Sequence, residues 1–123
     1  MKLVNKPWGY EKWITEGRYV FKEIFIRGGC KSSLQYHDIK EETNYVIRGL
    51  GILYKDNSKL DLVPETFFHI LPKEVHRVEA VTDLLMVEAS TPEVNDIVRL
   101  QDDWQRGDGR IESEHSDTGN GNV

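Results

Sequence analysis

The sequence predicts an all-β fold, a small barrel or sandwich of short strands in one domain, and three observations carry that expectation. Apolar segments of strand length recur along the chain, turn-forming residues separate them, and no helical pattern of about 10 to 15 residues lies between them. At 123 residues the chain has room for one core. With 38% hydrophobic and 30% charged residues that core is modest, so burial of further apolar surface in a homodimer is expected.

The elements follow in order. Residues 19–26 open as an apolar run, then alternate, and stop at Arg27-Gly28-Gly29. Ser33-Leu34-Gln35-Tyr36-His37 alternates with period two, which sets Leu34 and Tyr36 on one face and Gln35 and His37 on the other. Residues 43–49 are rich in β-forming types, and residues 52–55 follow after Leu50 and Gly51. Asp56-Asn57-Ser58-Lys59 reads as a hairpin turn, because short polar side chains tolerate left-handed backbone. Residues 67–71 and 84–89 are further strands, with the less cleanly phased residues 75–80 between them. Residues 91–97 are the one helix candidate, with Thr91 as cap and Pro92 in the first helical position. From Gly107 the chain is polar and glycine-rich, which predicts a packed domain over residues 1–106 and a flexible tail over 107–123.

Composition excludes several classes of function. The formal net charge is −5 and no basic face assembles, which argues against nucleic acid. No run approaches the roughly 18 apolar residues of a membrane span, and residues 1–7 lack the apolar segment that secretion requires. A soluble cytoplasmic protein is therefore expected. Cys30 is the single cysteine, so neither an internal disulfide nor a thiolate cluster can form, and a half-buried place in a strand or turn is expected for it.

The residues with chemical potential concentrate in one constellation. Gly29, Gln35, His37, Glu42 and Gly49 stand in sequence, and His76 follows 34 positions after Glu42. Gln35 and His37 can reach one ion from a shared strand face, and Glu42 can return to it after a tight corner. An amide oxygen, two imidazoles and a carboxylate form a mixed set that suits one divalent ion of zinc, manganese, iron(II) or nickel. It is a poor set for calcium, which prefers oxygen ligands throughout.

This spacing resembles the motif pair of the cupins, whose fold is a double-stranded β-helix or jelly-roll barrel. The first motif matches at its fixed positions except that Gln35 replaces a histidine; in the second, Leu71 and Lys73 stand where the pattern has proline and glycine ahead of His76. Four further segments narrow the resemblance. Lys6-Pro7-Trp8-Gly9-Tyr10-Glu11, Ser32-Ser33-Leu34-Gln35-Tyr36-His37, His76-Arg77-Val78-Glu79-Ala80 and the stretch over residues 96–106 are similar to the carboxy-terminal cupin domain of type II mannose-6-phosphate isomerases. The resemblance covers about residues 4–106.

It implies a zinc-type metal, a phosphorylated sugar as ligand, and conversion of mannose 6-phosphate to fructose 6-phosphate through an enediol. Asp38 and Ile39 occupy places where the family has histidines, which makes Gln35 necessary to a four-ligand site. On this reading Glu88 or His69 is the general base, with Lys40 assisting, and Arg99 and Arg106 meet the phosphate through their forked donors. Each arginine also has a plainer use in ion pairs with nearby carboxylates. A non-catalytic module binding a sugar or other small ligand, and a metal-dependent oxygenase, stay open as alternatives, because fold alone does not fix activity.

Overall fold

The computed structural model describes residues 1–102 and 106–115. Among the described residues, eleven strands are arranged in two antiparallel sheets: β1 (Lys2–Lys6), β2 (Gly9–Glu16), β3 (Val20–Ile26), β4 (Leu34–His37), β5 (Glu42–Arg48), β6 (Gly51–Lys55), β7 (Ser58–Leu62), β8 (Phe67–Ile70), β9 (His76–Ala80), β10 (Leu84–Ser90) and β11 (Ile97–Gln101). One sheet has the order β1-β2-β3-β10-β5-β8 and the other β11-β4-β9-β6-β7. The expected jelly-roll barrel is the fold, and among the described residues no helix is long and apolar enough to cross a membrane.

Local chemistry explains the corners. The β6–β7 hairpin turns through Asp56 and Asn57 with Lys55 opposite Ser58, and Asp56 adopts φ 53°, the left-handed backbone that short polar residues tolerate. Gly49 follows β5 at φ 97°, and a Cβ there would stand 2.0 Å from the carbonyl oxygen of Asp83, so no other residue fits.

The interior is divided along the strands. Toward one end, alternate residues of β3, β5 and β10 bury Ile24, Ile26, Val46, Leu84 and Met86 against Leu53, Val78 and Ala80 of the facing sheet. Each large aliphatic side chain buried this way stabilises the fold by about 1.5–3 kcal/mol. Toward the other end the same strands turn Lys22, Glu42, Asn44 and Glu88 inward, all buried. Cys30 packs half-buried against the apolar end, as expected.

Two expectations are corrected. Residues 91–96 form no helix: they cross from β10 in one sheet to β11 in the other, and Thr91 accepts from the Glu41 amide at its hydroxyl while its own amide donates to the Glu41 carbonyl. The chain also stays packed beyond residue 106. Val4 bridges to His115, Lys6 pairs with Glu114 at 2.9 Å, and the Arg99 guanidinium donates to the carbonyls of Gly107 and Gly109. Composition hid this because Glu114 depends on a lysine 108 positions away. Residues 116–123 of the predicted tail lie outside the described residues.

Candidate metal centre

Register brings the predicted ligands together. Gln35 on β4 lies directly opposite His76 on β9, the one Cα pair joining those strands. His37 is two residues further along the same face of β4, and Glu42 opens β5 in the opposite sheet. Donor atoms of His37, Glu42 and His76 all lie within 4.8 Å of one another, and all three residues are buried. His37 Nε2 stands 3.7 Å from Glu42 Oε1. Ligand atoms about 2.0–2.2 Å from a shared ion are roughly 3–4 Å apart, so the trio needs only a small contraction to close on one.

Hydrogen bonds fix which nitrogen of each ring is free. His37 Nδ1 lies 3.1 Å from Asp96 Oδ1. Burial alone would raise the Asp96 pKa, but the amides of Ile39 and Lys40 donate to its other oxygen and the His37 ring to the first, and together they hold it ionised, below its usual value. An ionised carboxylate only accepts, so His37 carries its proton on Nδ1. Burial, with Lys40 nearby, lowers the His37 pKa to about 4, so the ring is neutral near pH 7 and Nε2 keeps its lone pair. His76 Nδ1 donates to the Glu74 carbonyl at 2.9 Å, which frees its Nε2 in the same way.

Gln35 arrives with its amide reversed relative to the expectation. Its Oε1 accepts from Ser33 Oγ at 2.7 Å and its Nε2 faces His76 Nε2 at 3.4 Å. A half-turn of the amide exchanges the two ends, since a hydroxyl can accept as well as donate, and then presents the oxygen beside His76. The donor set therefore fits a divalent ion held by His37, Glu42 and His76, with Gln35 able to supply a fourth ligand.

Lys73 explains how the second motif works without its glycine. Its φ of 70° is left-handed backbone, the conformation glycine would supply, and its amide donates to the His37 carbonyl at 2.6 Å. The loop thus keeps the shape of the motif, at the expense of backbone strain, and delivers His76 inward.

Beside the ligands lies a buried run of alternating charge. Lys40 Nζ stands 3.3 Å from Glu42 and 2.8 Å from Glu88, and Lys22 pairs with Glu11 at 3.1 Å. Burial would strip the Lys40 proton, but Glu42 and Glu88 outweigh it and hold the ammonium firmly. Burial likewise opposes the charge of Glu42, yet Lys40, foremost, and the Asn44 amide that donates to its Oε2 at 2.7 Å hold it ionised, well below the usual carboxylate range. For Glu88, burial and then Glu42 raise the pKa above its ordinary value.

The other predicted residues divide. Glu88 and Lys40 line the same pocket as the ligands, as does Arg99, whose Nε is buried without a hydrogen-bond partner among the described residues. His69 does not belong to the site: Phe68 and Ile70 point inward, so His69 faces outward on β8, bonded to Thr43. Arg106 lines the pocket, but the fork expected to hold a phosphate is occupied by Asp102 and Glu114. Asp96 was not singled out for the site, because a carboxylate 59 residues from His37 leaves no local signal.

A family model for the mannose-6-phosphate isomerase C-terminal domain matches residues 1–102. The chain belongs to this family. A curated relative, the uncharacterized protein MJ1618 of Methanocaldococcus jannaschii, is 30% identical over 59 residues, which span 48% of the chain and about half, 47%, of that protein. Among solved structures, KdgF from Halomonas sp. superposes with a TM-score of 0.69 at 17% identity, over 76% of this chain and 88% of that one. A cupin-like protein from Thermotoga maritima gives 0.67 at 17% identity over 76% of each. At those identities the structures show the fold: this mannose-6-phosphate isomerase C-terminal family member has the cupin fold.

Proposed function

We propose that this cupin is a metal-dependent isomerase of a phosphorylated aldose, of the mannose 6-phosphate to fructose 6-phosphate type. The observation that carries the reading is the arrangement of His37, Glu42 and His76 around a common point with Lys40 and Glu88 against it in one pocket. A divalent ion, zinc first and manganese, nickel or iron next, supplies Lewis-acid polarisation of the substrate's carbonyl and hydroxyl oxygens when bound.

The chain's residues account for the rest. Glu88, its pKa raised above the ordinary value by burial and by Glu42, takes the proton from the carbon beside the carbonyl and returns it to the former carbonyl carbon. The hydroxyl proton passes between the two oxygens, so atoms and charge balance. Lys40 stays an ammonium throughout and offsets the negative charge that develops beside it. The pocket has a cavity volume of about 100 Å³. Arg99, whose Nε lines the pocket without a hydrogen-bond partner among the described residues, is the donor that would meet the phosphate.

Turnover of mannose 6-phosphate by protein loaded with zinc, manganese, nickel or iron tests this, read as fructose 6-phosphate formed. Absence of turnover with every metal rejects the isomerase. A sugar-phosphate-binding module without catalysis is the second reading, favoured by a family model that describes a C-terminal domain. Stoichiometric metal and saturable sugar-phosphate binding without turnover would support it.

A further inference from the structure

The barrel has a seam where an edge strand of each sheet, β1 in one and β11 in the other, lacks a strand neighbour. Residues 106–115 cross it. On β11 the Gly109 amide donates to the Ile97 carbonyl, and Asp108 accepts from the Arg99 amide at 2.7 Å. On β1 His115 forms a bridge with Val4. The segment lies beyond the residues that the family model matches, yet Arg106, Gly109 and His115 line the same pocket as the metal ligands.

A carboxylate holds the far end of the segment. Glu114 is 8% exposed, and its oxygens accept from Lys6 Nζ at 2.9 Å and from Arg106 Nη1 at 3.0 Å. From 107 to 115 it is the one buried residue among those described, so little apolar burial shares the task of closure. The rest of the local charge is matched elsewhere. Asp102 accepts from Arg106 Nε and Nη2 at 2.9 and 3.2 Å, which orients the guanidinium and leaves Nη1 to Glu114. Glu11 is met by Lys22 at 3.1 Å and by the Trp13 indole at 2.8 Å, which leaves Lys6 to Glu114.

We propose that residues 106–115 are a latch over the pocket, opened when the phosphate group of a ligand replaces Glu114 between Lys6 and Arg106. The inference rests on the phosphorylated ligand of the preceding reading, but not on turnover. A carboxylate brings one charge and two oxygens, whereas a phosphate monoester brings a charge of about −1.5 to −2 near pH 7 and three acceptor oxygens. It can engage both cations and the Arg99 Nε of the same pocket. The exchange leaves no buried charge unpaired, because one anion replaces another and Glu114 moves into water.

Hydrogen exchange over residues 107–115 of the metal-free full chain tests this, with mannose 6-phosphate, inorganic phosphate, mannose, and chloride at equal ionic strength as probes. At saturation the two phosphates should speed exchange there by about tenfold, and mannose and chloride should not. Opening by mannose 6-phosphate without opening by inorganic phosphate would support the latch and name the ester as its ligand. Glu114→Gln should open the segment without ligand and bind mannose 6-phosphate about tenfold more tightly in calorimetry. Lys6→Gln should also open it, yet bind about tenfold more weakly. If both variants loosen the segment and neither gains affinity, Glu114 is a structural tie and the proposal is overturned. Wild-type exchange unchanged by both phosphates, or equal opening by chloride, overturns it too, and decides the matter should a variant fail to fold. Turnover by the metal-loaded chain with unchanged exchange would reject the latch and keep the isomerase, and opening without turnover would do the reverse.

Discussion

Asp96→Asn isolates the role of one carboxylate in metal binding. Asp96 makes three hydrogen bonds: Oδ2 accepts from the Ile39 and Lys40 amides at 2.8 and 3.1 Å, and Oδ1 from His37 Nδ1 at 3.1 Å. An asparagine of the same shape satisfies the two amides with its oxygen, which leaves its NH₂ facing His37. That group cannot accept, so the ring must move its proton to Nε2 and lose the lone pair aimed at the ion. Restoring the metal-binding tautomer then leaves two donors face to face. Changes of this kind beside a ligand weaken metal by about 10–100-fold, or about 1.4–2.7 kcal/mol. Because the loop keeps its two bonds, stability of the metal-free protein should change by less than about 1 kcal/mol. Competition for cobalt(II) or zinc against a chromophoric chelator measures the affinity, and nitrogen NMR of His37 reads the tautomer. Unchanged affinity, or a wild-type ring protonated on Nε2 at neutral pH, would refute the reasoning.

Four further outcomes are expected. Zinc at about 100 times its Kd should stabilise the fold by about 2.7 kcal/mol in thermal melts, and His76→Ala should abolish that shift. Glu88→Gln should lower turnover of the loaded enzyme by about 100-fold or more while leaving zinc affinity near wild type, measured by steady-state kinetics and chelator competition. Lys73→Gly should raise stability toward urea by up to about 1 kcal/mol, because glycine accepts the φ of 70° without strain, whereas Lys73→Val should lower it. For Glu11, burial is outweighed by Lys22, Lys6 and the Trp13 indole, which hold its pKa well below the ordinary 4.5. A carboxylate whose pKa falls on folding contributes stability that is full above 4.5 and is lost as pH drops below it. Glu11→Gln should therefore be less stable by about 3 kcal/mol at pH 7, with the gap narrowing below that value; a gap constant with pH would contradict it.

Much of the barrel was legible because period-two alternation fixes both a strand and its faces, as at Gln35 and His37, which the register then set beside His76. Strands β1, β2, β7 and β11 were not read as strands. In β2 the inward positions include Glu11, satisfied only by Lys22 and Trp13 from the fold itself, so hydropathy could not phase it. In β7 most positions are exposed and polar, and only Leu62 is buried. The general-base candidates show the same limit: residues 67–71 are apolar in both phases, so nothing local said that His69 points outward. The left-handed Lys73 shows the converse, a motif position whose backbone shape persists although its expected residue does not.

The lengthwise partition of the barrel has a consequence for how such a protein can change. Its oily floor of Ile24, Ile26, Val46, Leu84 and Met86 shares strands, but no inward positions, with the wet rim of Lys22, Glu42, Asn44 and Glu88. Exchanges at the rim alter reactivity without emptying the floor, so this architecture can take on a new substrate while its apolar packing stays in place.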